Sequence, residues 1–307
     1  LKKESVIRIA TRASQLALWQ SRFVASKLIA LNPDLRVEFI EITTEGDRVL
    51  DMSLSKIGGK GLFIKELEVA LLEDRADLAV HSMKDLPNAI SPEFCIASIL
   101  GREDARDVLV NQNGCDLTSL PTGATVGTSS LRRRSQILAL RRDLNICDLR
   151  GNVTTRLEKH QSGQYDAIVL AAAGLKRLGL ISAKCAYFGL DELVPAVGQG
   201  AIGVEVCTAR TDVQLLLAPL NCENSASCVN AERSMNKILN GSCQVPIGGH
   251  AVIKNDKLVL TGVVASIDGQ LLINRRLEAP KRDAERLGET LANRLIEAGA
   301  DKILSAV

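Results

Sequence analysis

Cys243 stands in Gly241-Ser242-Cys243-Gln244-Val245-Pro246-Ile247-Gly248-Gly249, bounded by a glycine that ends a helical pattern and a proline that restricts the chain after it. A thiol on such a loop is open to ionisation and bond formation. Arginines recur elsewhere, at Arg12, Arg132, Arg133, Arg150, Arg156 and Arg177, and planar guanidiniums match carboxylates with paired hydrogen bonds. Sulfur and guanidinium together point to a polyanionic group held covalently with its acids neutralised. Alone, Cys243 would read as one more small apolar residue.

His81-Ser82-Met83-Lys84-Asp85-Leu86-Pro87 closes a short apolar strand. Asp85 can move a proton in one protonation state and stabilise positive charge in the other, and Lys84 can hold a carboxylate. Asp85 would equally serve as a turn former ahead of proline. His81 fits a base by residue type and fits a buried, hydrogen-bonded histidine as well.

The strongest anion-binding pattern is Gly127-Thr128-Ser129-Ser130-Leu131-Arg132-Arg133-Arg134. Hydroxyls and unpaired N–H groups at a helix start offer hydrogen bonds, while the guanidiniums add charge. Arg132 and Arg133 leave a helix in different directions, so they are not expected to serve one carboxylate; ordinary capping of a solvated helix explains the same hydroxyls. Arg150-Gly151-Asn152, Arg156, Arg177, and Arg12 with Ser14 occupy comparable strand-to-helix junctions. Lys56-Ile57-Gly58-Gly59-Lys60-Gly61 lacks the Gly-Lys-Ser/Thr ending of a nucleotide loop, so Lys60 is assigned to a lid instead.

The chain has 307 residues, enough for two or three domains, with 38 Lys plus Arg against 36 Asp plus Glu and a net charge of +2. That balance excludes a general polyanion wrapper, and aromatic residues at 3% give no stacking platform, so nucleic acid is not an expected partner. Eight cysteines without paired spacing and only three histidines argue against a disulfide framework and a metal site. No 18-residue apolar run occurs, and Leu1-Lys2-Lys3-Glu4 leads straight into Val6–Ala10; neither membrane span nor signal peptide is expected, and the cytoplasm is the expected location.

These residues need elements to hold them. Val6–Ala10 predicts a strand, Ser14 a cap for a helix with Ala17, Val24, Leu28 and Leu31 on its stripe, and Leu35–Thr43 a return strand. A helix over Leu62–Glu73 and a strand at Asp77–Val80 complete the first lobe. Thr125–Gly127, Leu131–Arg141, Ile146–Leu149, a helix from Asn152 and Asp166–Leu170 repeat the plan loosely. Two such lobes would enclose a cleft at the carboxyl ends of their strands. Beyond them come a helix over Ser225–Leu239 ended by Gly241, an antiparallel meander over 247–278 split at Asn255-Asp256 and Asp268-Gly269, and a last helix carrying Leu287, Leu291 and Leu295. The expected division is 1–98 with 200–218, then 99–199, then a small α+β domain at 219–307.

Across nearly its whole length the sequence resembles the hydroxymethylbilane synthase, or porphobilinogen deaminase, family. The resemblance rests on the ordered motifs Ile9-Ala10-Thr11-Arg12, Gly58-Gly59-Lys60-Gly61-Leu62-Phe63, His81–Asp85, Gly127–Arg133, Arg150-Gly151-Asn152, Val197-Gly198-Gln199-Gly200 and Gly241–Pro246. It implies an α/β fold of two periplasmic-binding-protein-like lobes and a third domain with a three-stranded antiparallel sheet. It implies a monomeric transferase of tetrapyrrole biosynthesis that joins four porphobilinogens head to tail, releases four ammonia molecules, and hydrolyses hydroxymethylbilane from a dipyrromethane primer bound through Cys243. Asp85 is the implied catalytic group. Lys84, Thr128, Ser129, Ser130, Arg132, Arg133, Arg150 and Gly151 are the implied cofactor contacts, and Arg12, Ser14, Arg150, Arg156, Arg177 and Gln199 the substrate contacts. Enzyme-bound pyrrole intermediates and a transient handoff to uroporphyrinogen-III synthase follow from the same resemblance. From the residues alone, a two-lobed binding protein for a small polycarboxylated ligand stays open.

Overall fold

The structure, a computed structural model, describes residues 6–44, 64–242 and 245–307. In chain order the first elements are β1 (Val6–Arg12), α1 (Gln15–Leu31), β2 (Arg36–Ile42), α2 (Lys65–Leu72), β3 (Leu78–Ser82) and β4 (Phe94–Ile99). There follow β5 (Asp107–Asn111), β6 (Thr125–Gly127), α3 (Leu131–Leu140), β7 (Asn145–Cys147), α4 (Val153–Gln161), β8 (Ala167–Ala171), α5 (Ala172–Arg177) and β9 (Cys185–Tyr187). The last are β10 (Ile202–Cys207), α6 (Thr211–Leu217), α7 (Glu223–Ile238), β11 (Ile247–Lys254), β12 (Lys257–Ala265), β13 (Leu272–Pro280), α8 (Ala284–Glu297) and α9 (Ala300–Leu304). Two compact units result, Leu1–Arg102 with Ala201–Ala226, and Glu103–Gly200 with Ser227–Val307.

The first unit is built on a sheet of order β2-β1-β3-β10-β4. β2, β1 and β3 run parallel, and β10 is antiparallel to both of its neighbours. Both faces are covered, as parallel strands require. Ile7, Ile9, Leu78, Val80, Ile202 and Val204 meet Val24 and Leu28 of α1 on one side; Ala10, Ala79 and Phe94 meet Leu67, Ala70 and Leu71 of α2 on the other. Ser14 caps α1 by accepting the Ala17 N–H at 3.3 Å. Leu31, expected on the buried stripe, is 52% exposed because it is the last helical residue, and Ala25 and Ser21 fill the inner face instead.

The second unit repeats this topology in the order β7-β6-β8-β5-β9, again with three parallel strands and β5 antiparallel to both neighbours. The repeat extends to single hydrogen bonds. Asp77, before β3, donates its N–H to the Arg8 carbonyl and accepts the Arg8 N–H on its carboxylate, both at 2.8 Å. Asp166, before β8, donates to the Thr125 carbonyl at 3.0 Å and accepts the Thr125 N–H at 2.7 Å. An acid at that position ties the incoming strand to its parallel neighbour in both lobes.

β11, β12 and β13 form the three-stranded antiparallel sheet, backed by α7, α8 and α9 through Met235, Leu239, Leu287, Leu291, Leu295 and Ile303. Asn255 and Asp256 both take positive φ, 48° and 60°, the mirror-image turn that a two-residue hairpin favours. Glu232, fully buried on α7, accepts the N–H groups of Gly198 and Ala251, each at 2.7 Å, and so joins this sheet to the chain segment before β10. Helix α7 ends at Ile238, with Asn240 in the left-handed region at φ 51°. The terminating residue is therefore Asn240 rather than Gly241, whose N–H bonds the Asn236 carbonyl at 2.8 Å.

Candidate active site

Parallel strands place loops of one kind at one sheet edge, and the predicted site residues of each unit gather at the carboxyl ends of its parallel strands. In the first unit Arg12 ends β1 and Ser14 caps the helix after it. On the neighbouring strand, β3 passes into a single 3-10 turn, Met83–Asp85. Gln20 of α1 donates to the Ser82 hydroxyl at 2.8 Å, and the Met83 N–H bonds the Ala201 carbonyl at 3.0 Å. Lys84 is half-buried. Asp85 is exposed and makes no hydrogen bond or ion pair among the described residues. Its carboxylate is thus free to receive a proton or face a cation. His81 is buried and bonded to Glu205 at 2.8 Å, which gives it the structural place rather than that of an open base.

In the second unit Thr128, Ser129 and Ser130 link β6 to α3. Ser130 caps α3, its hydroxyl accepting the Arg133 N–H at 3.4 Å, and the Thr128 hydroxyl accepts the Ser130 N–H at 3.2 Å. Neither hydroxyl donates a hydrogen bond among the described residues. Ser129 spends its proton on the Leu149 carbonyl and accepts the Leu149 N–H, both at 3.0 Å, which brings the Arg150-Gly151 loop after β7 alongside. Gly151 has φ 113°, and a Cβ there would fall 2.8 Å from Thr155, so the loop conformation requires glycine. Arg156 reaches back through Nε to the Gly151 carbonyl at 2.7 Å.

Arg132 and Arg133 are only 4% and 6% exposed. Contrary to the expectation that they would not serve one carboxylate, they converge on Asp107, fully buried at the start of β5: Arg132 Nη2 lies 2.8 Å from Oδ2 and Arg133 Nη2 2.7 Å from Oδ1. Gln199, 1% exposed, donates to the same Oδ1 at 3.0 Å and to the Ala105 carbonyl at 2.7 Å. Arg133 uses its remaining Nη1 on the Val169 carbonyl at 2.9 Å, and Arg132 uses Nη1 on Val194 at 2.8 Å. Burial alone would raise the Asp107 pKa, yet the Arg132 and Arg133 charges hold it at about 2. Arg177 donates to the Gly200 carbonyl at 2.7 Å, and burial lowers its pKa to about 10 despite Glu103.

Two guanidiniums against one carboxylate leave one buried positive charge, and Arg132 Nε is buried without a hydrogen-bond partner. A carboxylate-bearing group fits that donor set. Asp107 had no sequence signal of its own: its partners lie 25, 26 and 92 positions away, on α3 and on the segment before β10. Cys243 and Lys60 lie outside the described residues.

An α/β fold whose two lobes each collect hydroxyls, helix starts and arginines at one sheet edge defines a class of anion-binding proteins. Comparison with known proteins narrows the class. The profile for porphobilinogen deaminase, dipyromethane cofactor binding domain, matches residues 7–215, and that for the porphobilinogen deaminase C-terminal domain matches 226–297. Porphobilinogen deaminase of Methylobacillus flagellatus is 50% identical over 299 residues, 97% of this chain and 96% of the relative. That of Laribacter hongkongensis is 50% identical over 97% of each chain, and that of Thiobacillus denitrificans 49% identical over 98% of each. Among solved structures, the periplasmic VFT2 domain of Bordetella pertussis BvgS is similar over 70% of this chain and 86% of its own, at 16% identity and a TM-score of 0.44. The chain belongs to the porphobilinogen deaminase family, transferases that assemble hydroxymethylbilane from porphobilinogen on a dipyrromethane cofactor. No helix among the described residues is long and apolar enough to cross a membrane.

Proposed function

We infer that this chain condenses four porphobilinogens head to tail and that Cys243 carries the dipyrromethane through a thioether. The observation that supports this most directly is the surplus buried guanidinium charge of Arg132 and Arg133 over Asp107, in a chain that retains the family's ordered motifs from end to end. Each pyrrole carries an acetate and a propionate, about two negative charges near neutral pH. When bound, the dipyrromethane supplies the nucleophilic carbon on which the chain grows.

The protein's own residues bind, orient and move protons. Arg132 Nε and the Thr128 and Ser130 hydroxyls donate to carboxylates of the cofactor; Arg133 acts there through charge, since each of its nitrogens already has a partner within the lobe. Arg150 and Gly151 join the cofactor set through the Ser129 stitch, and Lys84 adds a cation beside Asp85. Arg12, Ser14, Arg156, Arg177 and Gln199 are assigned to substrate, Gln199 indirectly through Asp107. Lys60 is assigned to a lid. Asp85 donates the proton with which ammonia departs, accepts the proton that carbon loses after attack, and accepts a hydrogen bond from the cationic pyrrole N–H.

Within this reading the three-domain division is retained, with 219–307 as the cofactor-carrying domain. The enzyme works as a cytoplasmic monomer and hands its product to uroporphyrinogen-III synthase. Peptide mass spectrometry of purified holoprotein tests the attachment: the expected result is a denaturation-resistant dipyrromethane adduct on the Cys243 peptide, absent from Cys243→Ala. An unmodified Cys243 peptide in fully active protein overturns it, and failure to make hydroxymethylbilane from porphobilinogen overturns the activity.

A further inference from the structure

Beside the Met83–Asp85 turn the structure buries a hydrogen-bonded histidine–carboxylate pair that has no part in the proposed proton transfers. His81 Nε2 lies 2.8 Å from Glu205 Oε2, with side chains 5% and 0% exposed. His81 is on β3 and Glu205 on β10; the strands pair antiparallel, with Gly203 directly opposite His81. Period-two alternation puts His81, Gly203 and Glu205 on one face of the sheet. On that face the Met83 thioether fills the space over Gly203, where a Cβ would stand 2.2 Å from Sδ and 3.5 Å from Ile96. Met83 is 1% exposed.

We propose that Gly203 and the His81–Glu205 pair form a slot that seats Met83 and thereby fixes the stance of the next two residues, Lys84 and Asp85. Gly203, His81 and Glu205 are on this account positioning residues for the transfer reaction, an inference that rests on Asp85 being the proton-handling group. Methionine has three rotatable bonds and adapts to irregular space, so Met83 holds the turn only as tightly as its walls allow. The histidine ring opposite Gly203 is held by a carboxylate at hydrogen-bond distance, on the sheet face where Met83 sits. The 2.8 Å hydrogen bond between two buried side chains fixes the orientation of the imidazole ring. The surroundings agree: Glu205 Oε1 is buried without a hydrogen-bond partner, and on α2 the Glu68 carboxyl is pushed up by burial and then by the charge of Glu205.

The test compares Glu205→Gln, Glu205→Leu and Gly203→Ala as primer-loaded holoproteins in steady-state turnover of porphobilinogen. Glu205→Gln keeps a side chain that can hydrogen-bond the imidazole, and its kcat is expected within about threefold of the parent. Glu205→Leu and Gly203→Ala are expected to lower kcat by at least about tenfold, with KM within about twofold and full primer mass, because a misplacement near 1 Å is enough for such losses. Unchanged kcat in Glu205→Leu overturns the proposal, as does a loss that Glu205→Gln shares equally or that only follows the unfolded fraction. If Gly203→Ala does not fold, the glutamine–leucine comparison decides alone. Failure of the underlying reading shows differently: Asp85→Ala then turns over normally in the parent background, whereas failure of the slot leaves Asp85→Ala inactive and Glu205→Leu active.

Discussion

At the scale of single residues, the side chains divide by whether their hydrogen-bonding capacity is already spent. Asp85 is exposed and unpaired among the described residues, so removing it costs the fold little. Asp85→Ala is expected to keep its melting temperature while turnover falls by about 10²-fold or more, the range for a lost general acid–base group; turnover within a few-fold of the parent would remove Asp85 from the chemistry. Asp107 is the opposite case. Fully buried between Arg132 and Arg133, it neutralises charge that would otherwise stand alone in the interior. Asp107→Asn is expected to destabilise the protein by about 3–5 kcal/mol at neutral pH, the usual result of removing one partner of a buried ion pair, as read by denaturant unfolding. The motif Leu131-Arg132-Arg133 announced anion chemistry in the sequence, but the acid that holds both arginines was silent. An aspartate opening a five-residue apolar strand resembles any strand-end acid until the strand is paired.

Elements were legible where local chemistry sets them. The Asn255-Asp256 dipeptide, the Ser14, Ser130 and Asn152 caps, and Gly299 at φ 98° after the last long helix all state their geometry in one or two residues. What stayed hidden depends on pairing across the chain, as with β5 and β9, short strands whose place comes from β8 and from each other. The end of α7 shows a local competition, in which Asn240 takes the left-handed position that the following glycine was expected to fill. Gly151 gives an element-scale test. At φ 113°, with the Thr155 side chain 2.8 Å from where a Cβ would stand, Gly151→Ala strains the start of α4 and displaces the Arg150 loop. A loss on the order of 1–3 kcal/mol is expected, with weaker retention of the primer's acids. A variant that melts like the parent and loads primer fully would show that the loop does not depend on this backbone conformation.

Across the whole molecule, the duplicated lobe plan puts an acid-stabilised strand junction in each unit, and the sequence echo between Asp77–Val80 and Asp166–Val169 was its visible trace. Each unit also holds a carboxylate between two arginines. In the first, Asp77 bonds Arg8 and Arg210, and against the opposing effect of burial these partners hold its pKa at about 2. In the second, Asp107 stands at about 2 between Arg132 and Arg133, again against burial. Both values lie below the ordinary 3.8, so each ionised carboxylate favours the folded state above that value, and its contribution disappears as pH falls toward 2. For Asp107 the depression corresponds to about 2 kcal/mol at neutral pH. Unfolding free energy is therefore expected to be flat with respect to these two groups above about pH 5 and to decline between about pH 4 and pH 2, with net proton uptake on unfolding in that window. Because the two acids belong to different units, Asp77→Asn should flatten the acid limb of the first unit and leave that of the second. Hydrogen exchange followed separately at β1–β3 and at β5–β8 reads the two limbs apart. Equal flattening in both regions would mean that the units unfold as one cooperative body, and no flattening in either would mean that Asp77 carries no linked proton.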